Sequence, residues 1–343
     1  QGKTRVFSVG QMDFCLLFRK YFLGFNGHVM SNRISNEIAV GVNPYSYEWN
    51  HLGVYLNRVG NKVIAGDFAN YDGTLNPQIM YACLDIINDW YDDGEENKLV
   101  RRVLFEDLVA SIHLCGEVVY QWTHSQPSGN PLTTILNSMY NSISMRVVYQ
   151  LLNLEISQFN RNVSMISYGD DNVVNISDAI IEEFNQSKIS EGYEKIGMRY
   201  TDESKGAHAV KDFRNLSQVE FLKRSFRLCR GTYYAPLELR VILEMMYWVK
   251  GDLNHEELCL TNCETAIREL SLHPKEVFTE WTKRIMNATR SVNIYPTLFS
   301  YEHTQHITSL SDLFGNMNFI KNDNYDGCAE IKAQVLDTDN GTN

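Results

Sequence analysis

The chain has 343 residues, 44% of them apolar and 12% aromatic, and its 31 Lys and Arg against 42 Asp and Glu give a net charge of −11. That length suffices for two or three packed units and the composition fits a globular chain, while no run of about 18 apolar residues is available to span a bilayer and no signal peptide is expected. Seven scattered cysteines, an odd number, suit a reducing cytoplasm with free thiols.

The first residue is Gln and not Met, so we expect a fragment or a processed piece of a polyprotein. Phe14, Leu16, Leu17, Phe18, Tyr21 and Phe22 recur at helical spacing. The run Lys62-Val-Ile-Ala-Gly-Asp67 is short and apolar, predicting a buried strand with Asp67 at its C-terminal end. After Asp72 a helix is predicted, with Asn76 as cap, Pro77 in the first turn, and Ile79, Met80, Leu84, Ile87 and Trp90 on one stripe. Residues 85–96 carry six acids and no Lys or Arg, which read as a solvated helix end and loop. A helix and then a strand pair around Gly116 are expected over 94–122.

His124-Ser-Gln-Pro-Ser128-Gly129-Asn-Pro reads as a turn, with Pro131 opening a helix that carries Leu132, Leu136, Met139, Tyr140 and Ile143. Thr133 and Asn137 lie one helical turn apart on a shared face. The stretch 163–177 reads as strand, tight turn, strand, with Asp170 and Asp171 at the tip. Adjacent carboxylates repel, and they make sense around a divalent cation; taken alone, Tyr168-Gly169-Asp170-Asp171 is also a reasonable solvated turn. Asp67 at a strand end beside that tip would give hard oxygen donors from two elements. Such a set suits a pair of Mg²⁺ ions about 3.5–4 Å apart in phosphoryl transfer.

Residues 205–230 hold seven bases against Asp212 and Glu220, while the stretch from Glu302 onward is acidic. Because charge is screened beyond about 8–10 Å, a basic channel can coexist with acidic outer surfaces. Residues 229–305 read as helical. His255, Cys259 and Cys263, if on one helix, spread over about 12 Å and cannot close on one zinc ion. Asn316 to Asn343 is rich in Asn, Asp and Gly and predicts a flexible tail or polyprotein linker over 306–343.

In order, these elements are Asp-x4-Asp, Ser-Gly-x3-Thr-x3-Asn and Tyr-Gly-Asp-Asp. They resemble motifs A, B and C of viral RNA-dependent RNA polymerases. Lys3-Thr4-Arg5 is similar to the end of motif F, Thr201-Asp-Glu-Ser-Lys205 to motif D, and Phe221-Leu-Lys-Arg-Ser-Phe226 to motif E. The phrases Pro-Ser-Gly-Asn-Pro-Leu-Thr and Phe-Leu-Lys-Arg resemble the picornavirus-like group, particularly its dicistrovirus, iflavirus and marnavirus-like lineages. The resemblance implies an α+β fold: a right-hand polymerase palm, antiparallel sheet with packed helices, carrying partial fingers and a helical thumb. Residues 1–60 would be the last part of the fingers, with most of that subdomain upstream. Residues 61–93 and 123–228 would be palm, 94–122 a fingers insertion and 229–305 thumb.

The resemblance also assigns roles. Asp67, Asp170 and Asp171 would hold two Mg²⁺, with Mn²⁺ as an alternative ion. Lys205 would protonate departing pyrophosphate. Lys3 and Arg5 would grip the triphosphate. Asp72, Ser128 and Asn137, with Gly129 and Thr133, would form the nucleotide site and recognise the ribose 2′-OH. Lys223 and Arg224 would contact primer and RNA. Partners would be the RNA template and primer strand, nucleoside triphosphates and other viral replication proteins, in the host cytoplasm and, by analogy, in membrane-associated complexes. A reverse transcriptase generally carries a bulky side chain at the Asp72 position, so Asp72 and Asn137 favour ribonucleotides. A non-catalytic RNA-binding or scaffold fragment is the remaining alternative.

Overall fold

The computed structural model describes residues 7–203, 213–248 and 254–310. Lys3, Arg5, Lys205 and the tail from 311 onward lie outside these residues.

Helix α1 (Met12–Ser31) buries Phe18, Phe22, Phe25 and Val29, a stripe at helical spacing, and Phe18 stacks on Phe22 with centroids 4.2 Å apart. Helix α2 (Tyr47–Leu56) is capped by the Ser46 side chain, which accepts from the Glu48 N–H. Strand β1 (Lys62–Ala69) leads through a 3₁₀ turn, Tyr71–Gly73, to α3 (Pro77–Tyr91), whose Asn76 cap and Pro77 fall where the sequence sets them. Helix α4 (Glu95–Val109) and the hairpin β2 (Ile112–Cys115) and β3 (Val118–Gln121) follow, turning at Gly116 with φ +61°. Helix α5 (Thr133–Leu151) begins two residues after Pro131, because the Asn130 side chain and carbonyl hold Leu132 and Thr133 in a preceding turn. After the short α6 (Phe159–Asn162) come β4 (Val163–Tyr168), β5 (Asp171–Ile176), α7 (Gln186–Glu194) and β6 (Arg199–Asp202).

β1, β4, β5 and β6 form one antiparallel sheet in the order β4-β5-β1-β6. Alternation along the strands divides its two faces. Ile64, Phe68, Met165 and Val174 join the core under α3, α5 and α7, while Val63, Ala65, Ile166 and Val173 pack with Trp49, Leu52 and Leu56 of α2. β4 and β5 are buried on both faces, and Ser164, Ser167, Asn172 and Asn175 are buried there among the apolar residues. Gly66 breaks the run in β1 because the Tyr200 ring occupies the space its Cβ would take, and the Tyr200 hydroxyl donates to Asn172 Oδ1 at 2.8 Å.

Two small hairpins succeed the sheet: β7 (Glu220–Phe221) with β8 (Arg224–Ser225), and β9 (Arg227–Cys229) with β10 (Thr232–Tyr234). Helical structure was expected from residue 229, but β10 packs on α2, with Tyr233 against Gly53 and its hydroxyl accepting from Asn57 at 2.6 Å. The helical layer starts later, with α8 (Leu239–Met245), α9 (His255–Leu270), α10 (Lys275–Arg290) and α11 (Tyr301–Leu310) around Ile242, Ala266, Leu270 and Phe278. The expected tail boundary at 305 falls inside α11, where Thr308 is buried.

Candidate active site

The sheet register brings the sequence's separated carboxylates to one corner. Pairing of β1 with β5 runs from Lys62↔Ile176 to Gly66↔Asn172, and Asp67 and Asp171 are the next residues beyond that last pair. Asp67 shares its face with Val63 and Ala65, and Asp171 shares its face with Val173, so both project toward the same side. Gly169, at φ +64°, takes the first position of the two-residue loop between β4 and β5, and Asp170 follows it, exposed at the tip.

Helix α5 pins that tip. Ser138 Oγ accepts from the Gly169 N–H at 2.8 Å, and Asn141 Nδ2 donates to the carbonyls of Gly169 (3.1 Å) and Asp170 (3.2 Å). Asn172 Nδ2 donates to Asn141 Oδ1, so the amide chain runs from Tyr200 through Asn172 and Asn141 to the turn. Ser138, Asn141 and Asn172 are fully or almost fully buried and were not singled out from sequence. Their signal was a run of small polar residues on the buried side of an otherwise apolar helix, at Asn137, Ser138, Asn141 and Ser144.

One turn earlier, α5 builds the second cluster. Asn137 Nδ2 donates to Asp72 Oδ1 at 2.7 Å, and the Ser128 hydroxyl donates to the other Asp72 oxygen. The Gln126 N–H donates to the Asp72 carbonyl at 2.9 Å, and the Gln126 side chain donates to Thr133 Oγ1 at 2.9 Å, so the loop, the 3₁₀ turn and the helix are fixed together. The Tyr71 hydroxyl donates to the Asn137 carbonyl at 2.8 Å, and burial pushes that phenol well above its ordinary value, keeping it a neutral donor. Asn137 Oδ1 is buried with no hydrogen-bond partner, which leaves an acceptor beside an acidic group. Gly129 has φ +120°, and a Cβ there would meet the Ser8 carbonyl, whose own N–H donates to Ser128 O at 2.7 Å.

The basic residues divide. Leu222 and Lys223, at φ +53° and +64°, form the tip of the β7–β8 hairpin, and Lys223 is exposed there. Arg224, which the resemblance assigns to primer and RNA, is 11% exposed and forks onto Glu269 of α9 at 2.8 and 3.0 Å, with a further bond to the Ala235 carbonyl at 2.7 Å. The Tyr45 hydroxyl also donates to Glu269, closing a contact among three segments.

Among the described residues, no three His, Cys, Asp or Glu side chains converge into a ready-made metal cage. Mg²⁺ in phosphoryl-transfer sites commonly takes one or two carboxylates and completes its octahedron with substrate phosphates and water. Asp67, Asp170 and Asp171 are hard oxygen donors on adjacent elements and fit that mode. His255, Cys259 and Cys263 lie along α9, and no zinc set forms there among the described residues.

Residues 1–288 match the sequence profile of the viral RNA-dependent RNA polymerases. The chain is 48% identical over 302 residues to the replicase polyprotein of acute bee paralysis virus, covering 84% of this chain and 16% of the polyprotein. It is 45% identical over 295 residues to that of cricket paralysis virus (81% and 17%) and 40% identical over 325 residues to that of Drosophila C virus (89% and 18%). It thus spans less than a fifth of the length of these relatives. Among solved structures it superimposes on the sicinivirus 3Dpol RNA-dependent RNA polymerase with a TM-score of 0.68 at 18% identity, over 87% of this chain and 60% of that one. The likeness gives the fold as a right-hand polymerase.

Proposed function

The chain belongs to the viral RNA-dependent RNA polymerase family, and on that premise we propose that it performs RNA-templated RNA synthesis in replicating a positive-strand RNA genome. We assign residues 61–93 and 123–228 to the palm, 94–122 to a fingers insertion, and the α8–α11 layer to the thumb. The family generally uses divalent metal ions. Here Asp67, Asp170 and Asp171 would hold two Mg²⁺, which when bound lower the pKa of the primer 3′-hydroxyl and neutralise charge on the α-phosphate and pyrophosphate.

The protein's own groups orient the substrates. Asp72, Ser128 and Asn137 read the ribose 2′-OH, Lys223 meets the primer strand, and Arg224 holds the motif E hairpin to the thumb. Lys3, Arg5 and Lys205 keep the roles given by the motifs: the first two on the triphosphate, the third as proton donor to pyrophosphate. RNA template, primer and nucleoside triphosphates are the substrates. Replication takes place in the host cell, where cytoplasmic membrane-associated complexes with other viral proteins are the setting by analogy. No helix among the described residues is long and apolar enough to cross a membrane.

The observation that carries this reading is the bonded cluster of Asp72 with Asn137 and Ser128, built on the same helix that pins the Gly169-Asp170 turn. A carboxylate with an amide in reach suits a hydroxyl that both donates and accepts, and disfavours the reverse-transcriptase alternative. Primer extension on annealed RNA with Mg²⁺, run with NTPs and dNTPs beside Asp170→Ala, tests it. NTP-dependent extension that vanishes in the variant is expected. Equal use of dNTPs would revive the reverse transcriptase, and RNA binding without extension would leave a scaffold.

A further inference from the structure

Glu37 sits in the connection between α1 and α2, far in sequence from every motif, and carries three unusual features together. It is only 7% exposed, its backbone is left-handed at φ +67°, and its carboxylate is fully engaged. Arg146 of α5 forks onto it, Nη1 to Oε2 and Nη2 to Oε1, both at 2.8 Å, and the Ser142 hydroxyl donates to Oε2 at 2.6 Å. A β-carbon disfavours the left-handed region, so the conformation persists because the surroundings impose it.

Its carbonyl does the rest. The Ser167 N–H donates to Glu37 O at 2.9 Å, the Ser167 hydroxyl reaches the same oxygen at 3.1 Å, and the Ala39 N–H donates to Ser167 O at 2.9 Å. β4 is the edge of the sheet, and this short bridge, Ile38↔Ser167, covers its outer side just before Tyr168-Gly169-Asp170-Asp171. One residue thus ties the edge strand of the acidic hairpin by its backbone and helix α5 by its side chain. The same helix carries Asn137 for the sugar and Ser138 and Asn141 for the turn.

The geometry points to Glu37 as a positioning residue that sets the Asp170–Asp171 turn against the sugar-reading face of α5. Its kinetic consequence rests on the polymerase reading; its structural consequence does not. Glu37→Gln keeps the shape and removes the charge. Hydrogen–deuterium exchange of the whole chain, without substrate, should show the amides of 163–176 exchanging about ten-fold faster in the variant, with α9 and α10 unchanged. In primer extension, kcat should fall about ten-fold while RNA affinity holds, because misplacing reacting groups by a fraction of an ångström acts on turnover. Arg146→Lys, which keeps the charge and loses the fork, should act in the same direction, and Glu280→Gln, which removes an exposed ion pair with Arg284, should do neither. Faster exchange confined to 34–41, or uniform across the chain, would overturn the inference, as would unchanged kcat in an active enzyme. Inactive wild-type protein would count against the polymerase reading, and the exchange pattern would still decide on Glu37.

Discussion

Asn137 and Asp72 are 65 positions apart in sequence and joined by a 2.7 Å hydrogen bond from Nδ2 to Oδ1, while Asn137 Oδ1 remains a buried acceptor without a partner. A site holding an unfilled acceptor beside a carboxylate penalises a substrate that brings no hydroxyl. Asn137→Ala should therefore lower the NTP-over-dNTP ratio of kcat/KM by about ten-fold, the worth of one buried hydrogen bond near 1.4 kcal/mol. Asp72→Ala should do the same, and the double variant should fall short of the product because the two residues act as a unit. Competition between CTP and dCTP in single-nucleotide addition measures the ratio. An unchanged ratio would remove the pair from sugar selection.

Neighbouring bases in the β7–β8 hairpin should behave in opposite ways. Lys223 is exposed at the tip, so Lys223→Ala should weaken RNA binding evenly across sequences and reduce the salt-dependence slope by about one, without moving stability. Arg224→Ala would leave Glu269, 2% exposed, as a buried charge with its cation gone. That loss should cost about 3–5 kcal/mol in urea unfolding. Should Arg224→Ala leave stability intact and change only the salt slope, the direct RNA role would be restored.

The two variants mark what a sequence can and cannot tell. Motif order pointed to the acidic corner, because Asp67, Asp170 and Asp171 end or join strands whose pattern is legible in the sequence. The cap at Asn76 and Pro77 was legible for the same local reason. The ion pair of Arg224 was not: Lys223 and Arg224 look alike in sequence, and only the hairpin's turn and the arrival of Glu269, 45 residues later, separate an exposed base from a half-buried, ion-paired one. Ser138 and Asn141 were hidden because small polar residues on a helix face read as solvated until the sheet covers them. Glu37 gave no signal, since a left-handed backbone and a distant arginine leave no periodicity.

Gly66 should tolerate no side chain. A Cβ there overlaps the Tyr200 ring, so Gly66→Ala must displace the phenol that donates to Asn172 and, through Asn141, supports the acidic turn. We expect a loss of about 1–3 kcal/mol from overpacking in urea unfolding. Tyr200→Phe leaves the ring in place and removes only the hydroxyl, so the buried Asn172 Oδ1 loses its donor, again at about 1–3 kcal/mol. If Gly66→Ala and Tyr200→Phe add fully in the double variant, they do not act through a shared contact, and the proposed chain from β6 to the turn fails.

Stability should fall on mild acidification, and His273 should carry part of the fall. Burial holds its imidazole below the ordinary value of 6.5, outweighing the hydrogen bond of Nε2 to the Leu237 carbonyl at 2.8 Å. With the folded value depressed, the unfolded chain takes up the proton first as pH drops. The stability tied to the neutral ring is therefore whole above 6.5, declines below it, and is gone once the folded value is passed. His28 and His113 are shifted the same way by burial and add to the slope. Urea midpoints at pH 7.5, 6.5 and 5.5 should fall in that order, and His273→Gln should flatten the series without abolishing it, because the other two remain. A His273→Gln series as steep as the wild type would mean that the buried ring titrates alike in folded and unfolded chains, and that the α8–α9 packing around Leu237 does not exclude its proton.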